Sequence, residues 1–311
     1  MKRLLAILAA AALAAGCQME QKTEAPPTTS ATPSAAPAAP AAPAFDPNVH
    51  RAELTEWQKN RTTRLTSEDG WTTLVGLHWL QAGANDVKLA NGTHVNVELK
   101  DGKATLAAKA PMTIDEKPVK GPTPLLDDND EGGPTIVHMG SVRFNVIERG
   151  PRFALRVKDS NAETRTHFKG LEYYPIDAKW RVEARFEPYS PMKKIPITDI
   201  TGLTADSDAP GALVFTLDGQ EYRLDPILEE GSDELFIIFR DGTSKDTTYP
   251  AGRYLYAKKP GPDGKVIVDF NRAYNPPCAF TTFATCPLPP LQNRLPVRVE
   301  AGEKKYAGGH A

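Results

Sequence analysis

The sequence predicts an all-β fold preceded by a single helix. Beyond Gly70 the chain is a succession of short runs in which polar and apolar side chains alternate. Those runs are separated by Gly, Asn, Asp and Pro, and a three-to-four-residue apolar period occurs only once, before Gly70. Alternation with period two marks a half-buried strand, and the four separators are the residues that turns require.

Met1–Gly16 has the form of an export signal. Lys2 and Arg3 precede an apolar run, Leu4–Ala15, too short to span a bilayer. The run ends in Leu13-Ala14-Ala15-Gly16-Cys17, which resembles a bacterial lipobox. That resemblance implies lipidation of Cys17, and Gln18 after it implies the outer membrane, facing the periplasm. The alternative is an ordinary cleaved signal with a chance cysteine. Residues 17–45 form a Pro/Ala-rich tether that has too little apolar surface to fold. Twenty such residues in polyproline II would reach about 60 Å. The expected membrane partner is therefore the bilayer, through acyl chains on Cys17.

Asp46 is placed to cap a helix running to Ser67, with Pro47 in its first turn. Leu54, Trp57, Arg61 and Leu65 give it one stripe, expected to pack on the adjoining domain. Strands are expected at 71–80, 94–99, 104–108, 136–139, 142–147 and 153–157, with a hairpin turn at Asp101-Gly102. This predicts an antiparallel sandwich closing a first domain, 46–159. Its order of features, a Trp-Leu run and Gly turn followed by small strands and the strand MGSVRFNVI, resembles a forkhead-associated sandwich in texture. The phosphopeptide-reading signatures of that fold are missing between Gly83 and Glu98, so phosphothreonine binding is not implied.

A second domain, 160–306, is expected to be a β-barrel or sandwich, with 307–311 as a tail. The roughly 265 residues after the tether are many for one core. Trp180–Phe186 alternates clearly, and Pro188, Pro191 and Pro196 are read as ending that strand and breaking the chain beyond it. Further strands are expected at 213–217, 222–224, 235–239, 265–271 and 295–300. Asp218-Gly219 and Asp241-Gly242 are read as turns between them.

Composition narrows the function. The formal net charge is −2, with 37 Lys and Arg scattered among 39 Asp and Glu, so no nucleic-acid partner is expected. The six histidines are dispersed without ligand spacing, and no serine-hydrolase elbow, zinc-helix, P-loop or dinucleotide motif occurs. Neither a cofactor nor a metal is expected. With Cys17 given to lipid, Cys278 and Cys286 remain as a pair. In an oxidising compartment a disulfide is expected, with unpaired thiols or a metal pair as alternatives.

Two segments concentrate directional side chains. In the first, Phe239–Tyr254, Arg240, Asp241, Thr243, Ser244, Tyr249 and Arg253 could clamp an anionic or sugar-like group, or tie a polar hairpin together. In the second, Asp269, Asn271, Arg272, Tyr274 and Asn275 follow a strand whose Val266, Val268 and Phe270 face the other way; Asn293 lies further along. These polar groups could form a loop-built site or hold the loop's own backbone. Asp269 and Glu300 are the candidate acids for catalysis, and Glu303 pairs with Glu300. The two segments are expected to meet in one concave polar surface.

The stretches SEDGWTTLVGLHWL, VIERGPRFALRVKD, FRDGTSKDTTYPAGR and VDFNRAYNPPCAF resemble the bacterial and archaeal family of unknown function DUF1684. The resemblance runs from about Trp71 to Tyr306 and implies no activity and no catalytic residue. The sequence is thus read as a cell-envelope lipoprotein recognising a small polar or saccharide-like ligand in its second domain. The alternatives are a hydrolase in the same pocket and an interaction scaffold acting through the first sandwich.

Overall fold

The computed structural model describes residues 45–107 and 111–308, and from Phe45 onward these form one compact unit. The export signal, Cys17 and the tether as far as Ala44 lie outside the described residues.

The expected helix spans Pro47–Leu65 (α1). The Asp46 carboxylate accepts the backbone N–H of Asn48 at 2.8 Å and of Val49 at 3.4 Å, satisfying donors that have no helical partner. His50, Leu54 and Leu65 are buried along one stripe, with Trp57 and Arg61 half-buried beside them. The surface that receives this stripe differs from the expected one. Leu65 packs on Ala279, Phe280 and Tyr306, Arg61 pairs with Glu303 and His50 with Asp269, all from the C-terminal half. An apolar stripe requires a cover but does not name it. Here two buried carboxylates match the two polar members of the stripe and fix the choice.

The next ten strands are β1 (Leu74–Trp79), β2 (Gly83–Lys88), β3 (His94–Lys100), β4 (Lys103–Ala107), β5 (Thr113–Ile114), β6 (Lys117–Pro118), β7 (Thr123–Leu125), β8 (Val137–Met139), β9 (Val142–Arg149) and β10 (Arg152–Asp159). They form two antiparallel sheets, ordered β1-β10-β9-β8-β5-β6 and β2-β3-β4-β7. Lys100 pairs with Lys103 across the Asp101-Gly102 turn, whose φ angles of 50° and 73° are the left-handed pair such a two-residue hairpin needs. Val95, Val97, Phe144, Val146, Leu155 and Val157 meet between the sheets. The other parity of β9 and β10 faces out of this sandwich. It carries Arg143, Asn145, Ile147 and Arg149 on one strand and Arg152, Ala154, Arg156 and Lys158 on its partner.

Seven more strands complete the fold: β11 (Arg181–Thr198), β12 (Thr204–Leu217), β13 (Gln220–Leu224), β14 (Ile227–Leu228), β15 (Glu234–Phe239), β16 (Arg253–Lys258) and β17 (Lys265–Asp269). Their sheets run β13-β12-β11-β17 and β14-β15-β16, and they approach each other at β16/β17 and β12/β14 to make a half-barrel. β15 is buried on both faces. Leu235, Ile237 and Phe239 point into the half-barrel core, while Phe236 and Ile238 join a second cluster with Ile195, Ile197 and the cystine. Double burial explains its unbroken apolar run, and each such side chain contributes roughly 1.5–3 kcal/mol.

Three expectations for this half are corrected. β11 continues through Pro188, Pro191 and Pro196 with one irregularity between Pro188 and Lys193. β17 covers β11 only from Arg181 to Arg185, so the later prolines face a free edge that asks for no N–H donor. Asp241-Gly242 is not a hairpin turn. Asp241 caps a short 3₁₀ turn, Gly242–Lys245, through a capping box with Ser244, and β16 begins eight residues later at Arg253. Residues 295–300 form no strand. Leu295 and Val299 fill the core, while the backbone there bonds to Arg240, Gly242 and the Asp241 carboxylate.

Candidate functional site

The first polar segment folds inward around Asp241. Its carboxylate accepts from Thr243 Oγ1 at 2.9 Å, Arg253 Nη2 at 3.3 Å and Val299 N at 2.6 Å. Thr243 also meets Thr248 at 2.8 Å, and Ser244 completes the cap. Arg253 is fully buried; it donates to the carbonyls of Ala301 and Val299 and lies 5.2 Å from the Phe239 ring. Burial lowers its pKa against the opposing pull of Asp241. Gly252 precedes it at φ 118°, where a Cβ would stand 2.6 Å from Phe239 O. Arg240 is half-buried and its backbone bonds to Asn293 and Leu295.

The second segment is likewise held by the protein, although Asn275 Oδ1 there, like Arg253 Nε in the first, is buried without a partner among the described residues. Asp269 Oδ2 lies 2.7 Å from His50 Nε2, and its Oδ1 accepts from Asn271 N and Nδ2. Asn271 Nδ2 also donates to Asp177 O at 3.0 Å. Asn293 bonds to both backbone groups of Asp225 and to Ile238 O. Glu303, fully buried, receives Arg61 Nε at 2.9 Å and Asn275 N at 2.8 Å, and Asn275 Nδ2 donates to Lys304 O. Glu300 is exposed and pairs with Arg298.

The segments meet where Tyr254 and Tyr274 exchange backbone hydrogen bonds, both 2.9 Å. Their polar side chains nevertheless turn into the interior. Of the twelve expected binding residues, Arg272 and Tyr274 line a large cleft. Tyr249 donates to Cys278 O and borders a smaller hollow of about 360 Å³ beside Phe283.

The cleft holds about 1090 Å³ between α1, the outward face of the six-stranded sheet and the half-barrel. Aromatic rings from β15, β16 and the cystine loop form its floor. Phe236 and Tyr256 stack at 4.9 Å, Tyr256 and Tyr274 at 6.4 Å, and Tyr254 meets Phe236 edge-on at 5.0 Å. Burial raises the pKa of all three phenols, keeping them neutral donors. Tyr256 uses its hydroxyl on Glu229 Oε2 at 2.6 Å. α1 supplies Trp57, Arg61 and Arg64, with the Arg61 guanidinium 4.6 Å over Tyr274. The opposite wall carries Trp71, Arg149 and Arg156. The disulfide Cys278–Cys286 stiffens the loop that closes one end, its Cα atoms 6.2 Å apart.

The cations of the sheet wall differ in one respect. Arg149 pairs with Asp128 at 2.8 Å, Arg143 bonds to Glu68 O, Lys158 to Asp69 O, and Arg152 stacks on Trp79 at 3.6 Å. Arg156 Nε is buried with no hydrogen-bond partner among the described residues. Burial and the neighbouring Arg149 draw its pKa down to about 10. The sequence reasoning missed this wall. Its signal was present: in VRFNVIERGPRFALRVKD the non-core parity reads Arg, Asn, Ile, Arg and then Arg, Ala, Arg, Lys. Among the described residues no cluster of His, Cys, Asp and Glu is arranged to hold a metal.

Residues 166–304 match the family model of DUF1684, described as a protein of unknown function. No curated protein matches. Among solved structures, the solution NMR structure of an uncharacterized protein from Haloarcula marismortui shares 33% identity, covering 46% of this chain and 80% of that one, with a TM-score of 0.39. The stretch matched by the family model contains the half-barrel, both polar segments and the cystine loop. The match assigns residues 166–304 of the chain to the DUF1684 family of proteins of unknown function.

Proposed function

We propose that the cleft binds a small polar ligand built on a ring, of saccharide type, without a resident cofactor. The observation that carries this reading is the ladder Phe236–Tyr256–Tyr274, its two tyrosines half-buried, along the floor of a large cleft with a polar rim. The accessible parts of the two tyrosines give apolar surface for the C–H groups of a sugar ring, while Glu229 and the arginines offer hydrogen bonds at its edge. A cleft of this size also favours binding over the scaffold role. The hydrolase reading has less support, because Asp269 is engaged internally and Glu300 is outside the cleft. Of the acids lining the cleft, Glu229 is engaged by Tyr256 and Asp69 by Ser67, and Glu234 is an exposed residue at the start of β15. The test is a titration of the full chain with neutral mono- and oligosaccharides, followed by Trp57 and Trp71 fluorescence. Saturable changes weakened at least tenfold in Tyr256→Ala support the reading; no change with any sugar ends it.

The same proposal places the cleft in the cell envelope, on a lipid anchor at Cys17 facing the periplasm. The signal and lipobox-like sequence support it, and a buried cystine fits an oxidising compartment. Cys17→Ser should move the protein from the membrane to the soluble fraction. Unchanged fractionation with no acyl mass on the mature N-terminus would remove this part of the proposal.

A further inference from the structure

The sheet wall of the cleft holds a guanidinium with no ion pair of its own, the one carboxylate that acts on it, Asp128, being paired with Arg149. Arg156 sits on β10 opposite Leu77 of β1 and Asn145 of β9, neither of which can neutralise it. The nearest cations on the same face, Arg149 and Lys158, repel it. Asp128 is taken by Arg149 at 2.8 Å and by the backbone N–H of Glu148 at 2.9 Å. Asp69 accepts from Ser67 at 2.9 Å. The Trp71 ring, 5.4 Å from the guanidinium carbon, offers a face and no lone pair. Nε of Arg156 is a buried donor without a hydrogen-bond partner among the described residues.

Buried donors in native proteins are satisfied, and a leftover one in the wall of an open cleft points to a partner arriving from solution. A guanidinium asks for a particular partner. Its planar fork matches two oxygens of one carboxylate, sulfate or phosphate. Aromatic surroundings exclude water and strengthen that contact.

We propose that Arg156 is the anion subsite of the cleft and holds a carboxylate, sulfate or phosphate group borne by the ring-containing ligand, an inference that rests on the saccharide reading for its ring. Arg149, fixed by Asp128 and by Thr285 Oγ1 at 3.2 Å, is the positioning neighbour that adds positive potential without itself being free. The ligand class is then an acidic sugar rather than a neutral one.

The experiment compares glucose, glucuronate and inorganic phosphate on the full chain and on Arg156→Gln, by calorimetry at fixed ionic strength. The expected result is glucuronate binding at least tenfold tighter than glucose, an advantage erased in Arg156→Gln. Equal binding of the two sugars, or an advantage that survives the substitution, overturns the subsite and leaves the saccharide reading standing. If neither sugar binds, the saccharide reading falls, and inorganic phosphate decides the subsite. A saturable shift of the Arg156 Nε–H resonance with phosphate, absent with matched chloride, upholds it. No such shift overturns it. Thermal unfolding separates a structural role: Arg156→Gln removes no internal hydrogen bond of Nε, so its midpoint should equal or exceed that of the parent. A drop of several degrees without any ligand effect counts against the proposal.

Discussion

His50 on the first helix and Asp269 at the end of β17 are 219 residues apart and share a buried hydrogen bond of 2.7 Å. The pair fastens α1 to the half-barrel, and α1 in turn forms one wall of the cleft. Removing His50 leaves a buried carboxylate with Asn271 as its nearest donor. His50→Ala should cost about 2–3 kcal/mol, because a charged group loses a partner it cannot replace with water. Trypsin should then cut earlier at Lys59, Arg61 and Arg64. A parental urea midpoint together with parental protection of these sites would refute the fastening role.

Arg253 and Asp241 tie the first polar segment into the core rather than to a ligand. Both side chains are wholly buried, so truncation exposes nothing to solvent and strands the Asp241 carboxylate. Arg253→Ala should cost about 3–5 kcal/mol. Arg253→Lys should recover little, since a point-charge ammonium cannot serve Asp241 and two carbonyls in the guanidinium's geometry. Chemical denaturation of both variants, alongside sugar titration, makes the comparison. Normal stability with lost binding would return Arg253 to the ligand site.

The sequence signals that worked were those that one strand or helix carries alone. The α1 cap and stripe, the Asp101-Gly102 and Asp218-Gly219 hairpins and the core parity of Val266, Val268 and Phe270 are local consequences of backbone geometry. The partner of α1 was hidden because it depends on loops over 200 residues away. Prolines in β11 misled because an edge is a property of the sheet, visible only once β17 is seen to stop. Polar side chains in Phe239–Tyr254 and Asp269–Asn275 misled for a different reason: buried irregular backbone needs the same Asp, Asn, Thr and Arg that a ligand would. The cationic wall was legible in the parity of β9 and β10, yet no single strand shows that its outer face borders a cleft.

The cystine closes a short loop between residues eight apart, and both sulfurs lie within an apolar cluster behind the aromatic floor. The loop-entropy relation for that separation gives about 2.5 kcal/mol. For a chain of this size that is a shift of roughly 5–10 °C in the thermal midpoint. The double variant Cys278→Ala, Cys286→Ala should unfold lower by that amount and bind sugars more weakly as the cleft's end loosens. An unchanged midpoint would show that the loop is held by its packing alone.

Lys158 provides a pH test of the crowded sheet wall. Burial first, then Arg143 and Arg156, bring its pKa down to about 8 from an ordinary 10.5. Between those two values the unfolded chain binds a proton that the folded chain has released. Stability from this group therefore rises with pH across that window, and its penalty is fully present below about pH 8. The phenols of Tyr254, Tyr256 and Tyr274 act in the opposite sense: burial raises their folded pKa values, so stability falls once unfolded tyrosines begin to ionise near pH 10. Lys158→Met removes the first contribution and leaves the second. The difference in urea midpoint between parent and variant isolates the lysine: the variant should lead at pH 7, and its lead should shrink steadily toward pH 9.5. A gap that stays constant over that range would mean that Lys158 is charged and comfortable in the fold, and that the wall is less crowded with positive charge than its geometry implies.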